Sequence, residues 1–287
     1  MGKKQKTKNK RKTGNAEKLV SNQPSFNESV VRFKPSFEKT RLKKALVLVG
    51  LPGIGLVSKM AVDHLTRIFK AKKIALINSP HFPNQVLALK NGRLRAFSIK
   101  FYHKKINGKN IILVRGDLQP LTVEGQYEVS GKILEIARKL GATTIIAMAG
   151  YATNTKTEKK PTIYYSTTST QLAKKLRAFG AKTPARVVPI VGMAGLVPAL
   201  ASAYGMQGAC LLVETPGTVI DARGAKALLE LLEKFLRKKI DFKELDERAK
   251  NAENALRKVE EQAVQAQKLA GAPATAEPLK KELTYIR

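Results

Sequence analysis

Five short apolar runs constrain the fold of this chain more than any other feature. They are Ala45–Val49 (ALVLV), Ile74–Ile77, Ile111–Val114, Thr143–Met148 and Cys210–Val213. A strand that reads as a near-continuous apolar run is buried on both faces, as in parallel sheets covered by helices. Between the runs lie stretches with helical spacing: Leu56–Phe69, Gly125–Leu140, Gln171–Phe179, Gly195–Tyr204 and the amphipathic Ala222–Lys239. This alternation implies an α/β fold with a largely parallel sheet. Two shorter candidates, Gln85–Leu89 and Leu94–Tyr102, flank Asn91-Gly92, a strong hairpin signal, and are expected to add an antiparallel pair to the sheet.

Outside this core the texture changes. Residues 1–40 are rich in Lys, Asn, Ser and Thr and are expected to form a flexible basic arm; 41–240 form the α/β domain. Phe242, Leu245, Ala249, Ala252, Leu256, Val259, Ala263 and Ala266 then alternate at spacings of three and four. That narrow seam predicts a helix over 241–270, about 40 Å long, which packs either on its own domain or on another chain. Leu245, Ala249, Ala252, Leu256 and Val259 are the candidate oligomer seam. Residues 271–287 read as a Pro- and Ala-containing linker followed by Leu283, Thr284, Tyr285, Ile286 and Arg287, either a tethered docking peptide or a fraying end.

Charge and cysteine content narrow the functional classes. The chain carries 53 Lys+Arg against 22 Asp+Glu, a net of +31 over 287 residues. Residues 1–44 hold 14 Lys/Arg and 3 Glu, a net of +11, so +20 lies elsewhere. Such a field attracts polyanions. Lys3, Lys4, Lys6, Lys8, Lys10, Arg11 and Lys12 suit an arm that settles onto nucleic acid. Arg93, Arg95, Lys104 and Lys105 crowd the predicted hairpin, either tracking phosphates or solvating edge strands. Cys210 alone excludes an internal disulfide and points to a reducing, cytoplasmic setting. No apolar segment follows the basic start, so no secretory signal is expected. The uncharged stretch Val187–Val213 is interrupted by Pro and Gly and is read as a buried loop, helix and strand, not a membrane span.

Chemistry-bearing constellations are sparse. Gly50, Pro52, Gly53 and Gly55 follow a buried strand and open a helix, a place suited to anions, yet the Lys-Ser/Thr of a P-loop is missing. The glycines bind a phosphate or simply allow a tight turn. His64, His81 and His103 show no metal-ligand spacing, and no cofactor is expected. Asp117, Glu124, Glu128 and Glu214 are candidate acids, but no nucleophile or paired base accompanies them, so the chain is read as a non-enzyme.

Several strings together resemble the archaeal proteasome assembly chaperone family, relatives of the second proteasome-assembling chaperone. They include Gly50, Pro52, Gly53 and Gly55 in GLPGIGL, and Ser79, Pro80, His81, Phe82 and Pro83 in SPHFPNQV. GDLQP at 116–120 precedes Gly125, Gln126, Tyr127 and Glu128. Gly150 and Tyr151 lie in GYAT, Gly192 and Gly195 in PIVGMAGL, and Glu214, Thr215, Pro216 and Gly217 end GACLLVETPG. The resemblance spans about Ala45 to Val259. It implies a three-layer α/β/α sandwich like that of nucleoside phosphorylases, ATP-independent chaperoning, binding to proteasome α subunits and homo-oligomers formed through C-terminal helices. It also implies a tail whose Tyr and carboxylate enter a pocket between α subunits. Here Tyr285 is third from last rather than second, out of register with that pattern. The basic surface falls outside the resemblance and leaves a ribosome- or rRNA-associated role as the alternative.

Overall fold

The computed structural model describes residues 27–153, 160–217, 220–245, 247 and 254. Among them are ten strands: β1 (Val30–Phe33), β2 (Ala45–Gly50), β3 (Lys72–Asn78), β4 (Val86–Ala88), β5 (Leu94–Ala96), β6 (Ile99–Ile106), β7 (Lys109–Gly116), β8 (Ala142–Ala152), β9 (Ile163–Thr167) and β10 (Gln207–Thr215). The helices are α1 (Pro35–Glu38), α2 (Val57–Ile68), α3 (Val123–Lys139), α4 (Thr170–Ala178), α5 (Met193–Leu200) and α6 (Ala222–Leu236). Eight strands form one sheet in the order β1-β3-β6-β7-β2-β8-β10-β9. Its centre, β7-β2-β8-β10, is parallel throughout; β1, β6 and β9 run against the other five, so the sheet is mixed.

Alternate residues of the central strands feed two separate cores. Leu48, Ile111, Leu113, Ile146, Met148, Leu211 and Val213 pack under α2, α4 and α6. Val47, Val49, Ile112, Val114, Ile145 and Ala147 pack under α3 and α5. Every one of these side chains is buried, which is why the strands read as unbroken apolar runs. The result is an α/β/α sandwich.

Local chemistry fixes the helix ends. The side chains of Thr122, Ser169 and Asp221 cap the first turns of α3, α4 and α6 by accepting from Gly125, Leu172 and Gly224 amides. Basic residues close the other ends: Lys109 Nζ donates to Phe235 O at 3.0 Å and Lys234 Nζ to Phe179 O at 2.7 Å. Part of the positive charge therefore serves helix carbonyls.

Four expectations are corrected. The basic arm does not extend to residue 40: Val30–Phe33 forms an edge strand antiparallel to β3, and Ser29 is held by Glu128. A four-residue edge strand is too short to show periodicity. The hairpin does not extend the main sheet; β4 and β5 form their own two-stranded ribbon, and β6 alone joins the sheet. The 187–191 loop is not buried: Val187 is 99% exposed and Val191 90%. Leu245, placed in an oligomer seam, is buried in the core beneath α6 of its own domain. Ala249, Ala252, Leu256 and Val259, most of the expected long helix, the Lys3–Lys12 arm and the tail with Leu283, Tyr285, Ile286 and Arg287 lie outside the described residues. Among the described residues, no helix is long and apolar enough to cross a membrane.

The segment that leaves α6 returns onto α2. Phe242 packs on the core, Glu244 pairs with Arg67 at 2.8 Å, and fully buried His64 bonds through Nε2 to the carbonyl of Asp241 at 2.6 Å. With the carbonyl accepting, Nε2 carries the proton; Nδ1 is buried without a partner among the described residues. Burial pushes the His64 pKa below its ordinary 6.5, the Asp241 bond opposing it. The unfolded chain then takes up the proton first, so this contribution is complete above about pH 6.5 and declines as pH falls toward the folded value. Thermal unfolding of the wild type should therefore lose midpoint between pH 7.5 and 5.5 by more than His64→Gln, which keeps a donor without titrating. Parallel pH profiles for the two proteins would refute it.

Candidate functional site

Parallel strands that are covered on both faces send every connection out at the same end. Here β2, β7, β8, β10 and β3 all deliver their carboxyl ends to one edge of the sheet. The strings singled out in the sequence follow those strands or precede α3 and α5, so they converge on that edge.

The glycines there permit close backbone approach. A Cβ on Gly50 would lie 2.3 Å from Ser58 O, and one on Gly150 would lie 2.4 Å from Ile54 O. Gly55 takes φ +65°, its carbonyl accepts from Asp221 N at 2.9 Å, and Thr215 Oγ1 fills the space beside it. Ser58 Oγ donates to Leu51 O at 2.7 Å. Around Gly55 the loop is closely packed, with Thr215 and the Asp221 side chain beside it, while Gly53 and Ile54 border an open cavity.

Gln119, without a role in the sequence-based expectations, joins three loops. Its Nε2 donates to Pro52 O at 2.6 Å, and its Oε1 accepts from Met193 N at 3.1 Å, at the start of α5. Only the fold brings these groups together; no spacing in the sequence could have shown it. Beside this bridge opens a cavity of about 610 Å³ whose walls include Leu51, Ile54, Ser58, Leu121 and Val191. His81 lies over Gly125, where a Cβ would come within 2.4 Å of the His81 Cβ, and its carbonyl accepts from Leu121 N. Phe82 is buried in the core on the α3 side.

Three of the four candidate acids are committed to structure, and the fourth, Glu124, is exposed in the first turn of α3. Glu214 accepts from Thr162 N at 2.9 Å and from Tyr164 OH at 3.0 Å, and Tyr164 meets Tyr151 edge to face at 6.1 Å. Burial and the Glu214 bond both raise the Tyr164 pKa. Glu128 holds Ser29 through its backbone N–H and its hydroxyl. Asp117 Oδ2 accepts from Arg95 at 2.5 Å, Lys100 at 3.0 Å and Ser98 N at 3.1 Å. Burial alone would raise the Asp117 pKa, but the bonds from Arg95 and Lys100 outweigh it and hold it below the usual carboxylate range. The Lys100 pKa is lowered, chiefly by burial. Cys210 borders a second cavity, also about 610 Å³, between Tyr127 and Ile190; burial pushes its pKa up to about 12, so it stays a neutral thiol.

The basic residues of the hairpin region are dispersed. Arg95 is spent on Asp117, and Arg115 pairs with Asp63 at 2.9 Å. Lys104 and Lys105 are successive residues of β6 and point to opposite faces. Arg93 is exposed on the separate ribbon. Strand alternation and ion pairs thus separate these cations from one another.

Among the described residues, the large apolar side chains that are exposed lie in four connecting segments and helix starts, most of them at the carboxyl edge. Ile54 follows β2; Val86, Leu89 and Leu94 lie between β3 and β6; Leu121, Val123 and Tyr127 follow β7; Val187 and Val191 precede α5.

Comparison with known proteins gives a consistent picture. The profile described as the PAC2 family matches residues 47–260. An uncharacterized protein of Methanocaldococcus jannaschii is 35% identical over 245 residues, 85% of this chain and 93% of its own length. The crystal structure of Pyrococcus furiosus PbaB, described as an archaeal proteasome activator, superposes with TM-score 0.71 at 35% identity, covering 81% of this chain and 99% of that one. Pyrococcus furiosus PbaA, described as an archaeal homolog of proteasome-assembly chaperone, gives TM-score 0.68 at 26% identity, with 83% and 99% covered.

Asp117 generates a direct prediction, because it anchors the ribbon and neutralises the half-buried Lys100. Asp117→Asn should cost about 1–2 kcal/mol of stability and speed amide exchange across residues 86–96. An unchanged unfolding midpoint with unchanged exchange would show that the ion pairs do not hold the ribbon.

Proposed function

The chain belongs to the PAC2 family, and from that premise we propose that it is a non-catalytic, ATP-independent assembly chaperone that binds proteasome α subunits through the carboxyl edge of its sheet. The observation that carries the reading is that most of the exposed large apolar side chains lie on segments at that edge. A chaperone needs an apolar surface that its own fold leaves uncovered, and binding energy concentrates where such side chains become desolvated. Three of the four candidate carboxylates are bonded to neighbouring groups and the thiol is neutral, which supports a binding role. The descriptions of PbaA and PbaB supply the partner class.

Within this reading the protein works in the cytoplasm as a homo-oligomer, with Ala249, Ala252, Leu256 and Val259 contributing contacts between copies. The tail with Leu283, Tyr285, Ile286 and Arg287 adds a second, tethered contact to the α ring, raising local concentration without enlarging the main interface.

Purified α subunits should co-elute with the protein on size exclusion without added nucleotide, and their assembly rate should change in its presence. Val191→Glu should weaken that binding by about tenfold with no loss of thermal stability, since Val191 is 90% exposed. Absence of both co-elution and any effect on assembly would sink the proposal.

A further inference from the structure

The β4–β5 ribbon differs from the rest of the carboxyl edge. Val86 pairs with Ala96 and Ala88 with Leu94, so four apolar side chains share one face. All four are exposed, Val86 by 58% and Leu94 by 74%. The other face carries the Leu87–Arg95 pair, and Arg95 is bonded to Asp117. A two-stranded ribbon has no core of its own and is marginal in water. This one is held to the domain by an ion pair with its apolar face turned outward, an arrangement with an energetic cost unless something covers that face.

Charge and composition decide what covers it. From Val86 to Ala96 there are three basic residues, Lys90, Arg93 and Arg95, and no acidic one. Arg95 is already neutralised, which leaves Lys90 and Arg93 exposed at the tip. A second copy would bring its own exposed Lys90 and Arg93 against this ribbon, a repulsive pairing at this face. A nucleic acid would find no aromatic ring between Val86 and Ala96 on which to stack a base, and four aliphatic side chains offer nothing to phosphate. A folded protein surface with an apolar centre and an acidic border satisfies both features.

We infer that the outer face of the β4–β5 ribbon docks an apolar patch bordered by Asp and Glu on a proteasome α subunit, an assignment that rests on the function proposed above. Val86 and Leu94 fill the dry centre of the contact, while Lys90 and Arg93 set its orientation and speed its formation.

The test measures affinity for immobilised recombinant α subunit from the same source, after ribonuclease treatment, for the full-length chain and two double variants. Val86→Ser/Leu94→Ser should bind about tenfold more weakly with an unchanged unfolding midpoint. Lys90→Glu/Arg93→Glu should bind more weakly and lose much of the wild type's salt dependence. Wild-type affinity in both variants would overturn the ribbon assignment and leave the proposed function standing; failure of the wild type itself to bind would overturn both. If Val86→Ser/Leu94→Ser instead lowers the sedimentation mass of the free protein, the occupant is a second copy and the inference is wrong. It is equally wrong if ribonuclease abolishes wild-type binding.

Discussion

Everything else in this molecule depends on the burial of four parallel strands on both faces. β7, β2, β8 and β10 have alternate side chains committed to opposite cores, so neither face of the central sheet can be left to solvent. Helices must therefore cover both sides, and the connections through α2 and α3 cross from one edge to the other, whereas β3 and β8 are followed by the antiparallel β6 and β9. The shared direction of β2, β3, β7, β8 and β10 delivers the segments after them to a common edge before any of them has a role.

Once there, the loops are held by main-chain geometry and a few polar bridges more than by side-chain packing. Gly50 and Gly150 let backbone approach backbone where a methyl group would not fit, and Gln119 ties the glycine loop to the start of α5. Asp117 does the same for the ribbon, collecting Arg95, Lys100 and Ser98 at one oxygen. With the polar groups turned inward to bind the loops to each other, the apolar side chains on those loops face solvent. The edge consequently presents apolar side chains to solvent beside the cavity that Gln119 borders.

The parts of the fold that were legible in the sequence were those governed by burial on two faces. The runs at Ala45, Ile111, Thr143 and Cys210 became β2, β7, β8 and β10, and the helical spacings became α2 to α6 with ends displaced by a few residues. The edge strands were not legible: β1 and β9 are short, and a strand with one neighbour carries little period of its own. The ribbon was visible as a hairpin through Asn91-Gly92, but its attachment to the domain through Arg95 and Asp117 joins residues on different elements and has no local pattern. The glycine and proline strings marked the candidate site because backbone constraints leave local signatures. Gln119 lay within one of those strings, GDLQP, but its bridging of the loops, like the exposure of the apolar groups, exists only after the strands are in register. Net charge was the least informative feature, because it ignores which cations already face a carboxylate or a helix carbonyl.

Separating the strands that carry stability from the loops that carry the exposed apolar groups also has a meaning for inheritance. A substitution at Val191 or Leu94 changes what the surface presents while leaving both cores intact. A gene encoding such a protein can alter its partner in small steps, each one tolerated by the fold. The sheet can persist through long divergence while its edge is rewritten to follow the evolution of whatever it binds.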